Sequence, residues 1–219
     1  THVHFIGIGG SNMSGLAELL ADRGFTVSGS DCTQNAACER LSQRGIKVFY
    51  GQYAENIAPD TGLVVYTAAI HEDNEELVRA KAAGIPLLNR AEFLGQLMRQ
   101  YKDAISVAGT HGKTTTASML STIFLEAGLD PSISIGTVLT PSGSSARAGH
   151  SEHFIVESCE YTNSFLHFYP RHEIILNIEA EHLDFFKDIE DIRHSFRLFM
   201  EKLPSGGNLV IQGDIEKID

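Results

Sequence analysis

The sequence predicts an α/β protein with two parallel-sheet units, and three observations carry this prediction. Short apolar runs alternate with helical patterns along residues 1–100, and strands separated by helices pair in parallel through crossovers. Two glycine-rich loops, at residues 7–15 and 109–116, each lie between a strand and a helix. Glycines also follow helical stretches and precede apolar ones, as is typical of helix ends, at Gly24, Gly45 and Gly84.

The first domain is predicted over residues 1–100 as a small doubly wound sheet. Its strands are expected at residues 4–6, 25–28, 48–50 and 63–66. The helices between them are expected at residues 13–23, 36–44 and 74–83.

The second domain is predicted over residues 101–219, after a boundary near residues 88–103 that includes a helix at 91–100. Its strands are expected at residues 105–108, 153–157, 173–178 and 208–211. Its helices are expected from the end of the second glycine loop to about residue 127 and at about 189–203. A stretch rich in Gly, Ser and Pro covers residues 136–149, and its segment 141–145 is expected to form a mobile surface loop.

The composition limits the classes of partner. The chain has 219 residues and a formal charge of −11, which argues against nucleic acid as a partner because a polyanion requires concentrated positive charge. No run approaches the roughly 20 apolar residues of a membrane helix, and the start lacks a signal-peptide layout. The three cysteines lack zinc-site spacing, which favours reduced thiols. The sequence therefore predicts a cytoplasmic protein with no membrane partner.

The second glycine loop reads Gly109-Thr110-His111-Gly112-Lys113-Thr114-Thr115-Thr116. In a P-loop, backbone N–H groups surround the phosphates, a lysine reaches the β and γ groups, and the next hydroxyl binds Mg²⁺. Gly112, Lys113 and Thr114 fill the last three places, but the strict pattern requires glycine where this chain has Val107. A nucleotide-binding loop is the favoured interpretation, and a glycine-rich turn with an incidental lysine is the alternative.

Two candidate metal ligands follow later strands of the second domain. Glu157 ends the apolar run 154–156, and His182 lies in the acidic segment 179–184 that follows residues 174–178. Ligands of α/β proteins collect at the carboxyl ends of strands, where a magnesium-bound nucleotide requires additional oxygen or nitrogen donors. The alternatives are a strand-end acid with its own partners at Glu157 and a solvated loop residue at His182.

The first glycine loop, Gly7-Ile8-Gly9-Gly10-Ser11-Asn12-Met13-Ser14-Gly15, resembles a dinucleotide fingerprint with Asn12 at its sixth position. Asp31 closes the second strand, where a ribose- or base-binding acid is expected. A tight turn without a ligand is the alternative. Two such loops indicate two phosphate-bearing ligands and favour group transfer or ligation, whereas a dehydrogenase fragment leaves Lys113 and Thr114 unexplained.

The chain resembles the Mur ligase family over essentially its whole length. Four stretches carry the resemblance: GIGGSNMSGLA at residues 7–17, AGTHGKTTT at 108–116, ESCEYTNSFL at 157–166 and NIEAEHLD at 177–184. The histidine in GTHGK favours the alanine-adding branch and its relative that recycles murein tripeptide, and GIGGxxMSGLA favours the alanine-adding branch.

The resemblance implies a Rossmann-like parallel-sheet UDP-binding domain followed by a P-loop-type α/β ATP-binding domain that is incomplete at its C-terminus. It implies ATP on Gly109, Thr110, His111, Gly112, Lys113, Thr114 and Thr115. It implies the UDP-sugar on Gly7, Gly9, Gly10, Ser11, Asn12, Met13, Ser14, Ser30, Asp31, Thr67 and Ala69. Mg²⁺ is expected on Thr114, Glu157 and His182, and the catalytic residues are expected to be Lys113, Glu157 and His182.

The implied reaction is ATP-dependent ligation of L-alanine to the lactyl carboxylate of UDP-N-acetylmuramic acid, through an acyl phosphate, in peptidoglycan synthesis. Glu181 stands where relatives often have Asp, so no role is assigned to it. The family's third domain, which supplies the amino-acid site, is absent from this sequence, so the chain alone is expected to be inactive. The alternatives are the tripeptide-recycling ligase and a non-catalytic nucleotide- or UDP-sugar-binding module.

Overall fold

The computed structural model describes residues 1–139 and 144–216, and the chain divides into two compact units. The first unit combines Thr1–Phe93 with a later segment, Gly136–Ala148. The second unit combines Leu94–Ile135 with the chain from Gly149 onward. Among the described residues, no helix is both long and apolar enough to cross a membrane.

The first unit contains a five-stranded sheet in the order β3-β2-β1-β4-β5, with parallel pairing throughout. Its strands are β1 (His2–Ile6), β2 (Thr26–Asp31), β3 (Lys47–Tyr50), β4 (Thr61–Tyr66) and β5 (Leu87–Asn89). Its helices are α1 (Ser11–Asp22), α2 (Ala36–Gln43) and α3 (Glu75–Ala82), and a 3-10 turn covers Ala54–Asn56. Asn35 and Asn74 cap the second and third helices with their side chains, which explains where these helices begin.

The interior of the first unit includes a polar network. His4 and Glu76 are both fully buried, with His4 Nε2 3.4 Å from Glu76 Oε1. The Glu76 carboxylate also accepts from Ser30 Oγ at 2.5 Å and from Asn56 Nδ2 at 2.7 Å. Because a buried carboxylate is costly without partners, these bonds fix the third helix against the sheet and secure Ser30 at the end of β2.

A six-stranded sheet has the order β11-β10-β6-β9-β7-β8. The helix α4 (Arg90–Met98) precedes it. Its strands are β6 (Asp103–Ala108), β7 (Ser132–Leu139), β8 (Ser144–Arg147), β9 (His153–Glu157), β10 (His172–Ile175) and β11 (Asn208–Ile211). All of them belong to the second unit except β8 and the end of β7 from Gly136, which belong to the later segment of the first unit. The helices of the second unit are α5 (Lys113–Glu126) and α6 (Ile189–Met200), and a 3-10 segment covers Tyr161–His167. Pairing of β6 with β9 and β10 is parallel, so the carboxyl ends of these three strands meet at one edge.

Aromatic packing holds the last helix to the second unit. Phe165, from the 3-10 segment, stacks on Phe199 at 4.4 Å and meets Phe196 edge-on at 5.1 Å. All three rings are buried. The helix begins where Asp188 accepts from the backbone N–H of Asp191 at 3.0 Å, a normal side-chain cap.

The described part of the later segment of the first unit, residues 136–139 and 144–148, is called the arm. The predicted surface loop at residues 141–145 falls partly within it, and residues 140–143 lie outside the described residues. The prediction is wrong for Ser144 and Ser145, which begin β8 and are only 2% and 4% exposed. Because their side chains are small, Ser144 and Ser145 pack closely on α1. The small residues at these two positions therefore reflect tight packing of a strand on a helix.

Candidate functional site

The second glycine loop connects β6 to α5 and leaves the start of the helix open. Gly112 precedes the helix with φ +81°, a left-handed conformation that favours glycine. Glycine has no side chain to cap the first N–H groups, and the first helical turn has no acidic residue. An uncapped helix N-terminus of this kind suits an anion, as in P-loops.

Residues that follow β10 bind this loop through hydrogen bonds. Asn177 Oδ1 accepts from the backbone N–H of His111 at 2.8 Å, and its Nδ2 donates to the His111 carbonyl at 3.1 Å. An added Cβ at Gly109, whose φ is +137°, would lie 3.1 Å from the Asn177 nitrogen and from Leu176 Cβ. The predicted strand 173–178 is therefore too long at its end, because the backbone beyond Ile175 turns to bind the loop.

Thr110 and His111 contact the segment after β10 through different atoms. The hydroxyl of Thr110, which is 5% exposed, accepts from the Glu179 backbone N–H at 2.8 Å. The His111 side chain is exposed, with Nε2 3.6 Å from a Glu179 carboxylate oxygen. Thr110 thus stabilises the loop, while His111 faces solvent at its rim.

Lys113 is folded back over the loop. Its Nζ donates to the carbonyls of Gly109 at 2.6 Å and Thr110 at 2.9 Å, and lies 3.2 Å from Glu160 Oε2. The side chains of Lys113 and Glu160 are 13% and 2% exposed, so the pair is largely removed from solvent. Removing either side chain would leave the other charge without its ionic partner, which is destabilising. Glu160 was not predicted as a site residue, although it follows Glu157 by three positions in an irregular turn.

Thr114 and Glu157 are in direct contact. The Thr114 hydroxyl donates to Glu157 Oε1 at 2.9 Å. Glu157 ends β9 and pairs in register with Val107 near the end of β6, which places its carboxylate beside the first turn of α5. Thr115 is exposed on the same turn. The structure thus brings together two of the three predicted metal ligands.

The third predicted ligand, His182, groups with two acids. Ligand atoms of Glu160, Glu181 and His182 all lie within 4.8 Å of one another. His182 Nε2 is 3.9 Å from Glu160 Oε1, and the residue has φ +55°, which is uncommon for residues other than glycine. Carboxylate oxygens and an imidazole nitrogen form a donor set that fits a divalent cation. Glu181, to which the sequence analysis assigned no role, contributes to this group.

Tyr161 holds the His182 ring in place. The two rings stack with centroids 4.5 Å apart, and the Tyr161 hydroxyl donates to Asp184 Oδ2 at 2.7 Å. This hydrogen bond to a carboxylate, together with the negative charge of Asp184, raises the pKa of Tyr161 above its ordinary value. Tyr161 was also missed by the sequence analysis, because its contact with His182 joins segments that are distant in sequence.

Hydrogen bonds from its backbone N–H groups fix the first glycine loop in place within the first unit. The N–H groups of Gly7 and Ile8 donate to the Ser30 carbonyl at 2.8 and 2.9 Å. The N–H of Gly9 donates to Asp31 Oδ2 at 2.8 Å. An added Cβ at Gly7, whose φ is +82°, would lie 2.7 Å from Thr67 Cγ2. Ser30, Asp31 and Thr67 therefore support the loop in this structure.

Other predicted residues of this loop differ in exposure. Gly10, Ser11 and Ala69 are exposed, Asn12 is half-buried and Met13 is 2% exposed, with its side chain in the core. Their contacts with a UDP-sugar stay a prediction.

A cleft opens beside the first loop and is called the glycine-loop cleft. Its volume is about 300 Å³, and it is lined by Gly9, Ser11, Ser14, Asn35, Ala36, Ala37, Arg40, Val138 and Ser145. Among these described residues, Arg40 is the basic one and none is acidic. The Arg40 Nε atom donates to Glu18 at 2.6 Å, and its Nη2 reaches the Ser14 hydroxyl at 3.4 Å. Although Glu18 balances the charge of Arg40, the start of α1 at this cleft has no side-chain cap and no acidic residue in its first turn, which suits a ligand with negative charge.

Comparisons with known sequences match two successive parts of the chain to one family. The family described as "Mur ligase family, catalytic domain" matches residues 2–102, and "Mur ligase middle domain" matches residues 107–219. The UDP-N-acetylmuramate–L-alanine ligase of Lachnoclostridium phytofermentans is 62% identical over 100% of this chain and 46% of its own length. That of Agathobacter rectalis is 60% identical over 100% of this chain and 48% of its own. The chain therefore spans about half the length of the curated relatives it matches.

Comparisons with solved structures confirm the α/β fold with parallel sheets. UDP-N-acetylmuramate:L-alanyl-γ-D-glutamyl-meso-diaminopimelate ligase from Neisseria meningitides has a TM-score of 0.88 and 32% identity, over 98% of this chain and 72% of that one. UDP-N-acetylmuramate-alanine ligase from Thermotoga maritima has a TM-score of 0.85 and 27% identity, over 98% of this chain and 50% of that one.

Proposed function

This chain belongs to the Mur ligase family, and on that premise we propose that its protein joins L-alanine to the lactyl carboxylate of UDP-N-acetylmuramic acid at the expense of ATP. The family matches cover nearly the whole chain. Relatives at 62% and 60% identity carry the name of this activity. The proposed setting is peptidoglycan synthesis in the cytoplasm, where ATP is available.

One observation carries the proposal: the P-loop lysine and hydroxyl lie against acids from the next strand of the same sheet. Lys113 faces Glu160, and Thr114 is bonded to Glu157. A bare glycine-rich turn does not require either contact. Both contacts are expected where a triphosphate and its counter-ion share one edge of a sheet.

The triphosphate would lie along the P-loop, from Gly109 to Thr115. The N–H groups at the start of α5 would donate to phosphate oxygens, and Lys113 would exchange its carbonyl partners for the β and γ phosphates. In this exchange the ammonium gives up two carbonyl groups and the single charge of Glu160 and gains charged oxygens on two phosphate groups. Glu160, released from Lys113, would then face the cation.

The residues present fit Mg²⁺. Thr114 Oγ1 and Glu157 Oε1 are already 2.9 Å apart, as neighbouring ligands of a small cation are. His182 with Glu160 and Glu181 offers a second set of donors. When bound, Mg²⁺ supplies charge neutralisation that lets a carboxylate approach the γ-phosphate. Thr114, Glu157 and His182 remain the proposed ligands, and Glu160 is added to them.

The UDP-sugar would bind the first unit through the glycine-loop cleft. Its diphosphate would meet the N–H groups of residues 11–13 at the start of α1, and Arg40 also lines the cleft. Asp31 is bonded to the loop itself, so its proposed role is to hold the N–H of Gly9 in place.

The reaction would proceed in two displacements. The lactyl carboxylate attacks the γ-phosphorus, ADP departs, and an acyl phosphate forms. The amine of L-alanine then attacks the acyl carbon, loses a proton, and releases inorganic phosphate as the amide bond forms. The residues of this chain would hold the triphosphate in line with the carboxylate and screen their mutual repulsion, which is how phosphoryl transfer is generally accelerated.

A second candidate is ligation of a murein tripeptide to the same UDP-sugar. The structure that matches with a TM-score of 0.88 has this activity in its name. Both candidates place UDP-N-acetylmuramic acid and ATP on this chain, and they differ in the amine that is added.

Calorimetric titration of the chain with three ligands tests the proposal. We expect saturable binding of UDP-N-acetylmuramic acid and of a non-hydrolysable ATP analogue with Mg²⁺, and no binding of NADH. The variant Thr114→Val keeps the side-chain shape and removes one proposed Mg²⁺ ligand. It should weaken Mg²⁺-dependent nucleotide binding while leaving UDP-sugar binding intact. Binding of NADH at the first loop, or of neither predicted ligand by folded chain, would refute the proposal.

A further inference from the structure

The arm forms one wall of the glycine-loop cleft. Val138 and Ser145 line the cleft together with Ser11 and Ser14 from α1 and with the start of α2. The arm lies far along the chain from these elements, beyond the first family match at residues 2–102. The cleft is therefore not completed by the first hundred residues alone.

The arm is seated closely on α1. The Ser145 hydroxyl donates to the Ser11 carbonyl at 2.6 Å and is nearly inaccessible to solvent, with Ser145 4% exposed. At Gly15, an added Cβ would lie 2.6 Å from Ser145 Oγ, 2.9 Å from Ala146 Cβ and 3.0 Å from the Ala146 nitrogen. Gly15, the last glycine of the first loop motif, is thus required by the approach of the arm.

Val138 occupies a different environment on the same arm. Its side chain is 57% exposed although it is apolar, and it lies at the cleft. A charge placed there would face the ligand directly without disturbing the core. Thr137, the preceding residue of β7, is also exposed but does not line the cleft, as expected because successive strand residues point to opposite faces.

We propose that the arm is a binding element of the UDP-sugar site, with Val138 in contact with the ligand and Ser145 positioning the arm against Ser11. The proposal rests on the function proposed above, because it takes the ligand of the glycine-loop cleft to be a diphosphate-bearing sugar nucleotide. It assigns to this site residues that belong in sequence to the middle-domain match at residues 107–219.

The test is calorimetric titration with UDP-N-acetylmuramic acid of four proteins: the unmodified chain, Val138→Asp, Val138→Asn and Thr137→Asp. A carboxylate several ångströms from a diphosphate should weaken binding by about tenfold. The uncharged Val138→Asn and the outward-facing Thr137→Asp should each change affinity by less than about twofold, as exposed substitutions usually do. A far-ultraviolet circular dichroism spectrum and a thermal unfolding midpoint equal to those of the unmodified chain show that each variant is folded, and unchanged affinity for the Mg²⁺-bound ATP analogue shows that the effect is confined to the UDP-sugar site.

Three results would overturn the inference. Val138→Asp binding as tightly as the unmodified chain would mean that the arm does not face the ligand. Equal weakening by Thr137→Asp would mean that added negative charge acts at long range, independently of the cleft. If the unmodified chain does not bind the UDP-sugar, both the proposed function and this inference are refuted. This result is distinct from the first two because it is obtained before any variant is compared with the unmodified chain.

Discussion

Ionisation of the buried Glu173 carboxyl group should make the second unit less stable as pH rises. This residue lies in β10, paired with Ser106 of β6 on one side and Leu209 of β11 on the other, and is fully buried. Neither carboxyl oxygen has a hydrogen-bond partner among the described residues. Burial raises the pKa of Glu173 from 4.5 to about 8, and the positive charge of Lys202 only partly offsets this.

The sign of the pH effect follows from proton binding. In the unfolded chain Glu173 ionises near pH 4.5, whereas in the folded chain it keeps its proton until about pH 8. Between these values the folded state binds the additional proton, so the free energy of unfolding decreases as pH rises. Each tenfold change in the acid constant is worth about 1.4 kcal/mol, so the total loss is about 5 kcal/mol between pH 4 and pH 9.

The variant Glu173→Gln removes this ionisation. Its stability relative to the unmodified chain should rise from near zero at pH 4 to about 5 kcal/mol above pH 8. The chain has no tryptophan, so urea denaturation should be followed by far-ultraviolet circular dichroism. Glu201→Gln, which replaces an exposed acid of the same unit, is the matched control and should leave the pH profile unchanged. Parallel pH profiles for Glu173→Gln and the unmodified chain would refute the reasoning.

Three further predictions concern the two sites. Gly15→Ala should displace the arm, because its Cβ would lie 2.6 Å from Ser145 Oγ. Overpacking of this kind costs about 1–3 kcal/mol of folding stability. Calorimetry should show weaker UDP-sugar binding by this variant and unchanged nucleotide binding. Asn177→Ala should lower nucleotide affinity by about tenfold or more, since it removes both side-chain bonds to His111; equal affinity in a titration with the ATP analogue would count against this. Glu160→Gln should weaken Mn²⁺ binding by about tenfold, measured from free Mn²⁺ by electron paramagnetic resonance, because it removes a charged donor from the His182 group. Unchanged Mn²⁺ affinity would exclude Glu160 from the metal site.

Local patterns were sufficient to predict both glycine loops and the parallel sheets. Strand, loop and helix follow one another directly at residues 105–116, so apolar periodicity and glycine spacing identify the loop without tertiary information. Glu157 was predicted as a site residue for the same reason, since it ends an apolar strand.

The features that were missed depend on contacts between distant segments. Asn177 lies where the sequence continues as a strand, and its turn toward His111 is set by the P-loop it binds. Glu160 is buried and pairs with Lys113, 47 residues earlier in the chain. The arm has the composition of a surface loop, and its packing becomes intelligible only once Gly15 is known to lie beneath Ser145. In each case a partner far away in sequence overrides the local signal.

The most direct test of the account is the position of a bound metal ion. Crystals of the chain grown with Mn²⁺ and a non-hydrolysable ATP analogue should show an anomalous peak about 2.1 Å from Thr114 Oγ1 and from a Glu157 carboxylate oxygen. The phosphates should lie along the loop at residues 109–115, with Lys113 Nζ moved from the Gly109 carbonyl to the β and γ groups. A nucleotide bound elsewhere, or a metal ion that contacts neither Thr114 nor Glu157, would contradict the assignment of this unit as the ATP site.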